Sequence, residues 1–403
     1  MNPLFIRKTK SLPDHFFSFG GTPIFTKSLY EGTQVVGGTG SGKSSVFVFS
    51  LFEVMAKHGL GGVCLCFKNT DAEEYRERAI RAGREKDIIL IGKDHPTRYN
   101  FIDEEAKLSG GEAMNLTQFL TQCINGVKEG KDSQGKDEFW DNAVAQLIEN
   151  CITLLQMANE PLSMRNMLMA MFQSPSLKND ITSAGDYFRD IWQRAKEKKS
   201  LDFEALEMYW MYERPDLPEK TKNTIQGCLS VQINAFMKGD LRRIFMAEKS
   251  DFNMRQILDG KILIVDYPPE DHFKIGKLAN IIIKYAFQRI SRARTDKNDP
   301  DSPSAFLLAD EGQNFLTRQD SEILETLRTA KIITVFATQS ISNYLTRFDK
   351  DFVDSFLDKL TNKIFFNLES DSREFASNQI GKDVQIRAGT TTGSSSGNNY
   401  STS

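Results

Sequence analysis

The chain has 403 residues, of which 40% are hydrophobic and 26% are charged, and its formal net charge is −3 at pH 7. These are the proportions of a water-soluble globular protein, and the length allows two domains or one large domain with an insertion. The slightly acidic balance excludes a surface that binds polyanions everywhere, so nucleic acid would have to meet a local patch or a lined channel.

The cysteines and the apolar segments exclude further classes of protein. The five cysteines lie in apolar segments without the paired spacing of a zinc site, which predicts reduced thiols. No apolar run reaches the ~18–20 residues of a membrane helix, because Lys284 interrupts the best candidate, residues 278–287. Pro13 and Asp14 stand where a secretory signal would have its apolar core. We therefore expect a cytoplasmic chain that reaches a membrane only through an anchor outside it.

The first hundred residues alternate predicted strands and helices. The strands are expected at residues 33–36, 63–67 and 87–91, because each is a short apolar run. Between them lie a buried helix that ends at Gly59 and a charged helix at 71–83. This βαβαβ order predicts a parallel sheet covered by helices.

A glycine-rich turn joins the first strand to the first helix. Its sequence, GGTGSGKSS, fits the P-loop pattern G-x-x-x-x-G-K-[ST] between a strand and a helix. Backbone N–H groups of such a turn bind phosphate, while Lys43 would reach the β- and γ-phosphates and the Ser44 hydroxyl would hold Mg²⁺. We predict an ATP and Mg²⁺ site that uses the whole turn. Its residues are Gly37, Gly38, Thr39, Gly40, Ser41, Gly42, Lys43, Ser44 and Ser45.

The pattern becomes helical between residues 104 and 248. Strand signals vanish there, and apolar residues four apart form one stripe on a long helix that starts near Phe139. Prolines separate the further helical segments, which are expected near 164–171, 187–198, 203–212 and 221–238. We predict an all-α domain over 104–248, inserted into a nucleotide-binding domain whose N-terminal part is 1–103.

Strand signals return after residue 249. They are expected at 261–265, 304–309, 332–337 and 364–368, and a charged helix at 273–294 separates the first two. We assign 249–388 to the C-terminal part of the nucleotide-binding domain and the Ser/Gly-rich residues 389–403 to a flexible tail. The predicted fold class is α/β: a RecA-like P-loop NTPase with a mostly parallel sheet flanked by helices and a large inserted all-α domain.

Two acids follow the strand at 304–309. A P-loop enzyme needs an Asp beside Mg²⁺ and a Glu that deprotonates the attacking water. We predict Asp310 as the metal ligand and Glu311 as the catalytic base. Asp266 is the rival, since it also ends an apolar strand, but Tyr267 follows it instead of Glu, which favours a turn residue.

Gln339 and Arg328 are two further candidates for catalysis. Gln339 ends the strand after the acidic pair and would lie between the γ-phosphate and Glu311, unless it only bonds its own loop. Arg328 lies on the intervening helix and would reach a neighbouring subunit's nucleotide, unless it is a solvated charge.

Basic segments occur at 194–199, 238–243 and 289–294. Each is short and partly balanced by acids, so each is either a solvated face or a contact for DNA phosphate. No zinc finger, basic zipper or RNA-recognition motif occurs in the sequence. We therefore expect any DNA contact to be made to the backbone of the nucleic acid.

The order of these features resembles the type IV secretion coupling proteins of the TraG/TraD kind, relatives of the FtsK and HerA motor ATPases. The resemblance spans most of residues 30–385. Local phrases match as well: RYNF at 98–101, the pair Phe139-Trp140 and DGKILIVD at 259–266. Arg328 stands relative to Gln339 as the family's trans-acting arginine does, so the resemblance implies catalytic roles for both.

The family's biology supplies the functional expectation. Its members form homo-hexameric rings, hydrolyse ATP between subunits and couple a relaxase–DNA complex to the secretion channel during conjugation. The resemblance implies the same for this chain, with DNA in the ring channel and with the relaxase and the channel proteins as partners. The alternatives are a related motor for protein export, DNA repair or defence, and an ATP-dependent scaffold with little turnover.

Overall fold

The computed structural model describes residues 12–108, 110–126, 138–198, 200–295, 303–368 and 370–380. The predicted flexible tail, 389–403, lies outside these residues, as does the end of the segment 249–388.

One parallel sheet organises the described chain. A separate antiparallel hairpin, β1 His15–Phe19 and β2 Thr22–Phe25, precedes it. The seven strands of the sheet are β3 Thr33–Val36, β4 Gly61–Leu65, β5 Ile88–Gly92, β6 Ile262–Asp266, β7 Ala305–Ala309, β8 Ile332–Thr338 and β9 Asn362–Phe365. Their spatial order is β5-β6-β4-β7-β8-β3-β9, and every neighbouring pair is parallel. The predicted α/β fold class is confirmed.

The central strands are short apolar runs because both of their faces are covered. Strands β3, β4, β7 and β8 are buried along their whole length. Side chains alternate between the faces, so that Val36 packs in one hydrophobic cluster and Val35 in the other. Each face of the sheet therefore carries its own hydrophobic cluster.

Helices cover the sheet, and most of them lie in the stretch of chain between β5 and β6. The α-helices before that stretch are α1 Thr26–Leu29, α2 Phe49–Lys57 and α3 Asp71–Arg81. Those within it are α4 Phe101–Leu108, α5 Ala113–Gly126, α6 Glu138–Met157, α7 Met164–Phe172, α8 Asp186–Glu197, α9 Asp202–Glu207, α10 Arg214–Asp216, α11 Glu219–Ile233, α12 Gly239–Phe245 and α13 Met254–Leu258. The last five are α14 Pro269–Thr295, α15 Arg318–Thr329, α16 Ser342–Leu345, α17 Lys350–Lys359 and α18 Ser370–Ile380.

Shorter helical turns join these elements. Two are π-helical, Lys43–Val48 and Met208–Glu213. The others are 3₁₀ turns at Glu85–Asp87, Ile181–Ser183, Asn234–Met237 and Gly312–Asn314.

The segment between β5 and β6 is helical wherever the structure describes it. The predicted helices correspond to α6, α7, α8, α9 and α11, and the helices α4 and α5 before them were not predicted. Buried side chains of this segment belong to the same hydrophobic cluster as one face of the sheet. The helical segment therefore packs continuously onto the sheet, and its exact boundaries stay predictions. In the described ranges, no helix is long and apolar enough to cross a membrane.

Candidate nucleotide site at the carboxyl edge of the sheet

The glycine-rich turn leaves the carboxyl end of β3 and is anchored to the two strands beside it. The Gly37 N–H donates to the Thr338 carbonyl at 3.1 Å, and the Gly38 N–H donates to the Asn367 carbonyl at 2.9 Å. Gly42 has φ 91°, in the left-handed region that favours glycine. A Cβ atom on Gly37 would lie 2.6 Å from Ser41 Oγ, so the turn closes tightly only around glycine.

Lys43 begins a π-helical turn and is buried, with 5% of its surface exposed. Its Nζ lies 2.9 Å from Glu311 Oε1, and Glu311 is its one hydrogen-bond partner among the described residues. An ammonium group carries three donors. The buried Ser41 Oγ also has no partner within the described residues. A buried cation with spare donors beside an unpartnered hydroxyl fits an anionic ligand such as a phosphate.

Ser44 and Asp310 form a second contact between the turn and the end of β7. Ser44 Oγ donates to Asp310 Oδ2 at 2.5 Å, and Asp310 is 1% exposed. The Glu311 N–H holds the other carboxylate oxygen of Asp310 at 3.0 Å. A hydroxyl and a carboxylate are the hard oxygen ligands that Mg²⁺ prefers beside substrate phosphates. The donor set therefore fits a magnesium ion.

Glu311 lies at the centre of the site in an uncommon backbone conformation, with φ 50°. Its carboxylate accepts hydrogen bonds from Lys43, from Gln339 Nε2 at 3.1 Å and from Gln313 Nε2 at 2.9 Å. Burial raises the pKa of Glu311, but the hydrogen bonds from Gln313 and Lys43, the charge of Lys43 and the bond from Gln339 outweigh it. The net effect lowers the pKa, so Glu311 is ionised at neutral pH.

Gln339 connects Glu311 to the glycine-rich turn. Its Oε1 accepts a hydrogen bond from Thr39 Oγ1 at 3.2 Å, while its Nε2 donates to Glu311. Its contact with Glu311 is as predicted, and its place beside a γ-phosphate stays a prediction. Ser45, the last residue of the motif, is exposed on the helical turn.

Two further polar residues, Gln313 and Asp71, were not predicted as part of the site. Gln313 follows Glu311 by two positions and donates to its carboxylate. Asp71 is the first residue of the charged helix predicted at 71–83, but it is 3% exposed and accepts the N–H groups of Phe67 and Lys68 at 3.0 and 2.9 Å. Burial, and next the charge of Asp310, raise the pKa of Asp71 to about 6.

Arg328 and Asp266 lie away from these residues. Arg328 is in the last turn of α15, is 60% exposed and has its Nη2 3.1 Å from Glu31 Oε1. Arg328 and Glu31 both lie at the amino edge of the sheet. The seven residues of β8, at about 3.3 Å each, span the distance of roughly 20 Å from that edge to Gln339. Asp266 shares a hydrogen bond with His95 Nε2 at 2.8 Å, two strands away from β7.

Arginines of the three basic segments contact neighbouring parts of the chain. Arg194 Nη2 lies 2.7 Å from Glu160 Oε2, and Arg289 Nη2 lies 2.6 Å from Glu105 Oε1. Arg243 donates to backbone carbonyls at the end of β5 and just beyond it. These contacts assign the three arginines to the packing of the fold.

Comparisons with solved structures show the same fold. The bacterial conjugative coupling protein TrwB, in the trigonal form of TrwBdeltaN70 with sulphate, is 14% identical with a TM-score of 0.59, and the match covers 89% of this chain and 75% of that one. TrwB with ADP and Mg²⁺ is 14% identical with a TM-score of 0.58, over 89% and 75%. VirB4 of Thermoanaerobacter pseudethanolicus is 11% identical with a TM-score of 0.52, over 92% and 88%. No curated protein matches the sequence.

A family model covers nearly the whole chain. The model described as type IV secretory system conjugative DNA transfer matches residues 3–403. This match agrees with the resemblance that the motifs gave. The chain therefore belongs to the type IV secretory system conjugative DNA transfer family.

Proposed function

We propose that this chain is a Mg²⁺-dependent ATPase that drives DNA, as a relaxase–DNA complex, towards a type IV secretion channel. The observation that carries the proposal is the convergence of Lys43, Ser44, Asp310, Glu311 and Gln339 at one edge of the sheet. Membership of the conjugative DNA transfer family supplies the biological setting.

The glycine-rich turn, residues 37–45, would bind the phosphates. Its backbone N–H groups and the spare donors of Lys43 suit the β- and γ-phosphate oxygens, and Ser44 with Asp310 would hold Mg²⁺. When bound, the ion offsets negative charge on the transferring phosphoryl group. The related TrwB has been solved with the ATP analogue ADPNP and with ADP and Mg²⁺, which supports this choice of ligands.

Glu311 would act as the general base. Its carboxylate is ionised at neutral pH and is held by Lys43, Gln313 and Gln339, so it can orient a water molecule and accept its proton. Gln339 contacts both Thr39 on the turn and Glu311, so a change at the phosphate would reach the base through one side chain.

Arg328 would act on a neighbouring subunit in a homo-hexamer. It lies at the far edge of its own sheet and is largely exposed, so it cannot complete the site of its own chain but is accessible to another. In a ring, the subunits would together present several copies of their exposed positive groups to a DNA strand in the channel. We propose that residues 104–248 form the inserted all-α domain and that 1–103 and 249–388 together form the motor domain.

The substitution Glu311→Gln tests the proposed base. Glutamine has the shape of glutamate and can still accept hydrogen bonds, but it cannot take a proton from water. Mg²⁺-ATP should therefore still bind, as measured by calorimetry, while turnover falls by about 10²–10⁴-fold. Turnover at the level of the unmodified protein would place the base elsewhere.

ATPase activity against protein concentration tests the motor. We expect the rate per chain to rise with concentration and with DNA, because the proposed site is completed between subunits. A rate that ignores DNA would favour a protein-export motor, and ATP binding without turnover would favour the scaffold.

A further inference from the structure

Helix α14 carries a stripe of buried polar side chains. Asn280, Lys284, Gln288 and Ser291 follow one another at spacings of four, four and three residues, which places them on one helical face. Each is at most 1% exposed. Buried polar groups need partners. Ser291 bonds to the Phe287 carbonyl of its own helix, whereas Lys284 and Gln288 bond to residues beyond it.

Lys284 is the charged member of the stripe. Two of its partners belong to the segment that links Glu311 to α15, and the third lies in the first turn of α15. Its Nζ donates to the Phe315 carbonyl at 2.7 Å, to Thr317 Oγ1 at 3.2 Å and to the carboxylate of Asp320. Gln288 Nε2 donates to the other Asp320 oxygen at 2.7 Å. The side chains of both Lys284 and Asp320 are 0% exposed.

The same segment fixes the backbone at Glu311. After Glu311 the chain makes a 3₁₀ turn in which the Asn314 N–H donates to the Glu311 carbonyl at 2.9 Å. The Phe315 N–H then donates to the Gly312 carbonyl at 3.0 Å. The Phe315 carbonyl, which accepts a hydrogen bond from Lys284, is therefore one short helical turn away from Glu311. Since Glu311 itself has φ 50°, its conformation persists only where its surroundings fix it.

Stability alone gives little reason for this buried ion pair. Charges removed from water lose their hydration, and an apolar pair of similar volume is often as stable or more so. What an ion pair with further hydrogen bonds adds is a defined geometry. We propose that Lys284 and Asp320 are positioning residues that hold the segment 311–317, and with it the carboxylate of Glu311, in its catalytic place. This proposal rests on the proposed ATPase function.

The test uses the double variant Lys284→Met/Asp320→Asn, which removes both buried charges and leaves no unpaired one. Because Glu311 would lose its fixed position, we expect kcat to fall by about 10²-fold while the affinity for Mg²⁺-ATP stays unchanged. Gln288→Met removes a neutral donor to Asp320 and leaves the ion pair intact, so it should lower kcat by less in the same direction, and it serves if the double variant does not fold.

A second readout separates positioning from general damage to the fold. In a Glu311→Gln background, adding the double substitution should cause no further loss, because the residue being positioned is already inactive. The matched control is Arg84→Met, which removes a buried cation at the amino edge of the sheet, where Arg84 holds the Ala56 carbonyl at 2.8 Å. It should lower the melting temperature and leave kcat unchanged.

Three results would overturn the positioning role. They are full turnover in the double variant while Glu311→Gln is inactive, an equal loss of kcat in Arg84→Met, and a loss that multiplies with that of Glu311→Gln. Full turnover in Glu311→Gln itself would instead overturn the proposed base, so failure of the proposed function is distinguishable.

Discussion

Two buried lysines, Lys43 and Lys284, both bond to a carboxylate but differ in the further hydrogen-bond acceptors around their ammonium groups. Lys284 also donates to a carbonyl and to a hydroxyl, so its three donors have three acceptors. Lys43 has Glu311 alone among the described residues. A buried cation with unused donors costs free energy until a ligand completes its contacts, whereas a saturated one fixes its neighbours.

The surroundings of the two lysines fit this difference. Lys43 begins a helical turn, where the first backbone N–H groups have no partner within their own helix and suit an anionic ligand. Lys284 lies within the long helix α14, where the backbone groups are already paired. The same residue type is thus prepared for an exchangeable partner at one place and for a permanent partner at the other.

Arg328 extends the comparison to an exposed cation, and its removal should have the largest effect. Arg328→Ala should reduce turnover in the assembled state by about 10³–10⁵-fold, because a trans-acting arginine stabilises charge in the transition state. Mixing Arg328→Ala subunits with Lys43→Ala subunits should restore part of the activity, since some interfaces then have both groups. ATPase assays on mixed assemblies measure this.

Glu31→Gln is the matched control for Arg328. It removes the partner of Arg328 in the same chain, and a surface pair of this kind contributes only about 0–1 kcal/mol. Turnover should therefore be unaffected. If Glu31→Gln loses as much turnover as Arg328→Ala, or if the mixed assembly gains nothing, the arginine acts within its own chain.

Lys43→Met should remove the contact that we expect Lys43 to make with the phosphates of the nucleotide. Without its positive charge beside the phosphates, we expect kcat to fall by about 10²–10³-fold and the affinity for Mg²⁺-ATP to weaken. Calorimetry and ATPase assays measure the two effects. Lys57→Met is the control, because Lys57 ends the adjoining helix α2 and also pairs with a carboxylate, that of Glu53, but is exposed. Equal nucleotide affinity in Lys43→Met and Lys57→Met would contradict the assignment.

Lys284→Met should differ from Lys43→Met, because its main effect should be on folding and not on nucleotide binding. It leaves Asp320 buried without its cation, which should lower the free energy of unfolding by about 3–5 kcal/mol. Lys43→Met should cost less, because Gln313 and Gln339 still donate to Glu311. Urea unfolding compares the two. An equal loss of stability would remove the distinction between the lysines.

Much of the sheet and the centre of the site could be predicted because their signals are local. Strand β3, Lys43 and the acids after β7 are contained in short runs of sequence. Asp320 is 36 residues from Lys284, so Lys284 was noticed only as an interruption of an apolar run. Helix α4 was missed because its buried face includes Glu105, whose partner Arg289 is 184 residues away.

The orientation of Arg328 shows another limit of the sequence. Its helix was predicted, but the edge of the sheet at which a side chain emerges depends on how the helix packs in three dimensions. Asp71 was missed for a related reason, since its link to the site is the charge of Asp310, which comes from a distant part of the chain. Gln313 was missed although its contact with Glu311 is local.

Asp71 is a buried acid at the carboxyl edge of the sheet, and its replacement by Asn should have the smallest effect of these substitutions. Burial and the charge of Asp310 raise its pKa from 3.8 to about 6. Between these values the folded protein binds a proton that the unfolded chain has released, so stability falls as pH rises through this range. Asp71→Asn, which can still accept the two backbone N–H groups, should therefore stabilise the protein by about 2–3 kcal/mol at neutral pH.

The gain from Asp71→Asn should shrink as the pH falls through about 6, because Asp71 is then neutral in the folded protein as well. Urea unfolding from about pH 5 to about pH 8 measures the gain. Asp87→Asn is the control of opposite sign: burial raises the pKa of Asp87, but bonds from Arg84 and Lys261 lower it overall, so this substitution should destabilise the protein at neutral pH. A gain from Asp71→Asn that does not change with pH would mean that the pKa of Asp71 is not raised in the folded protein.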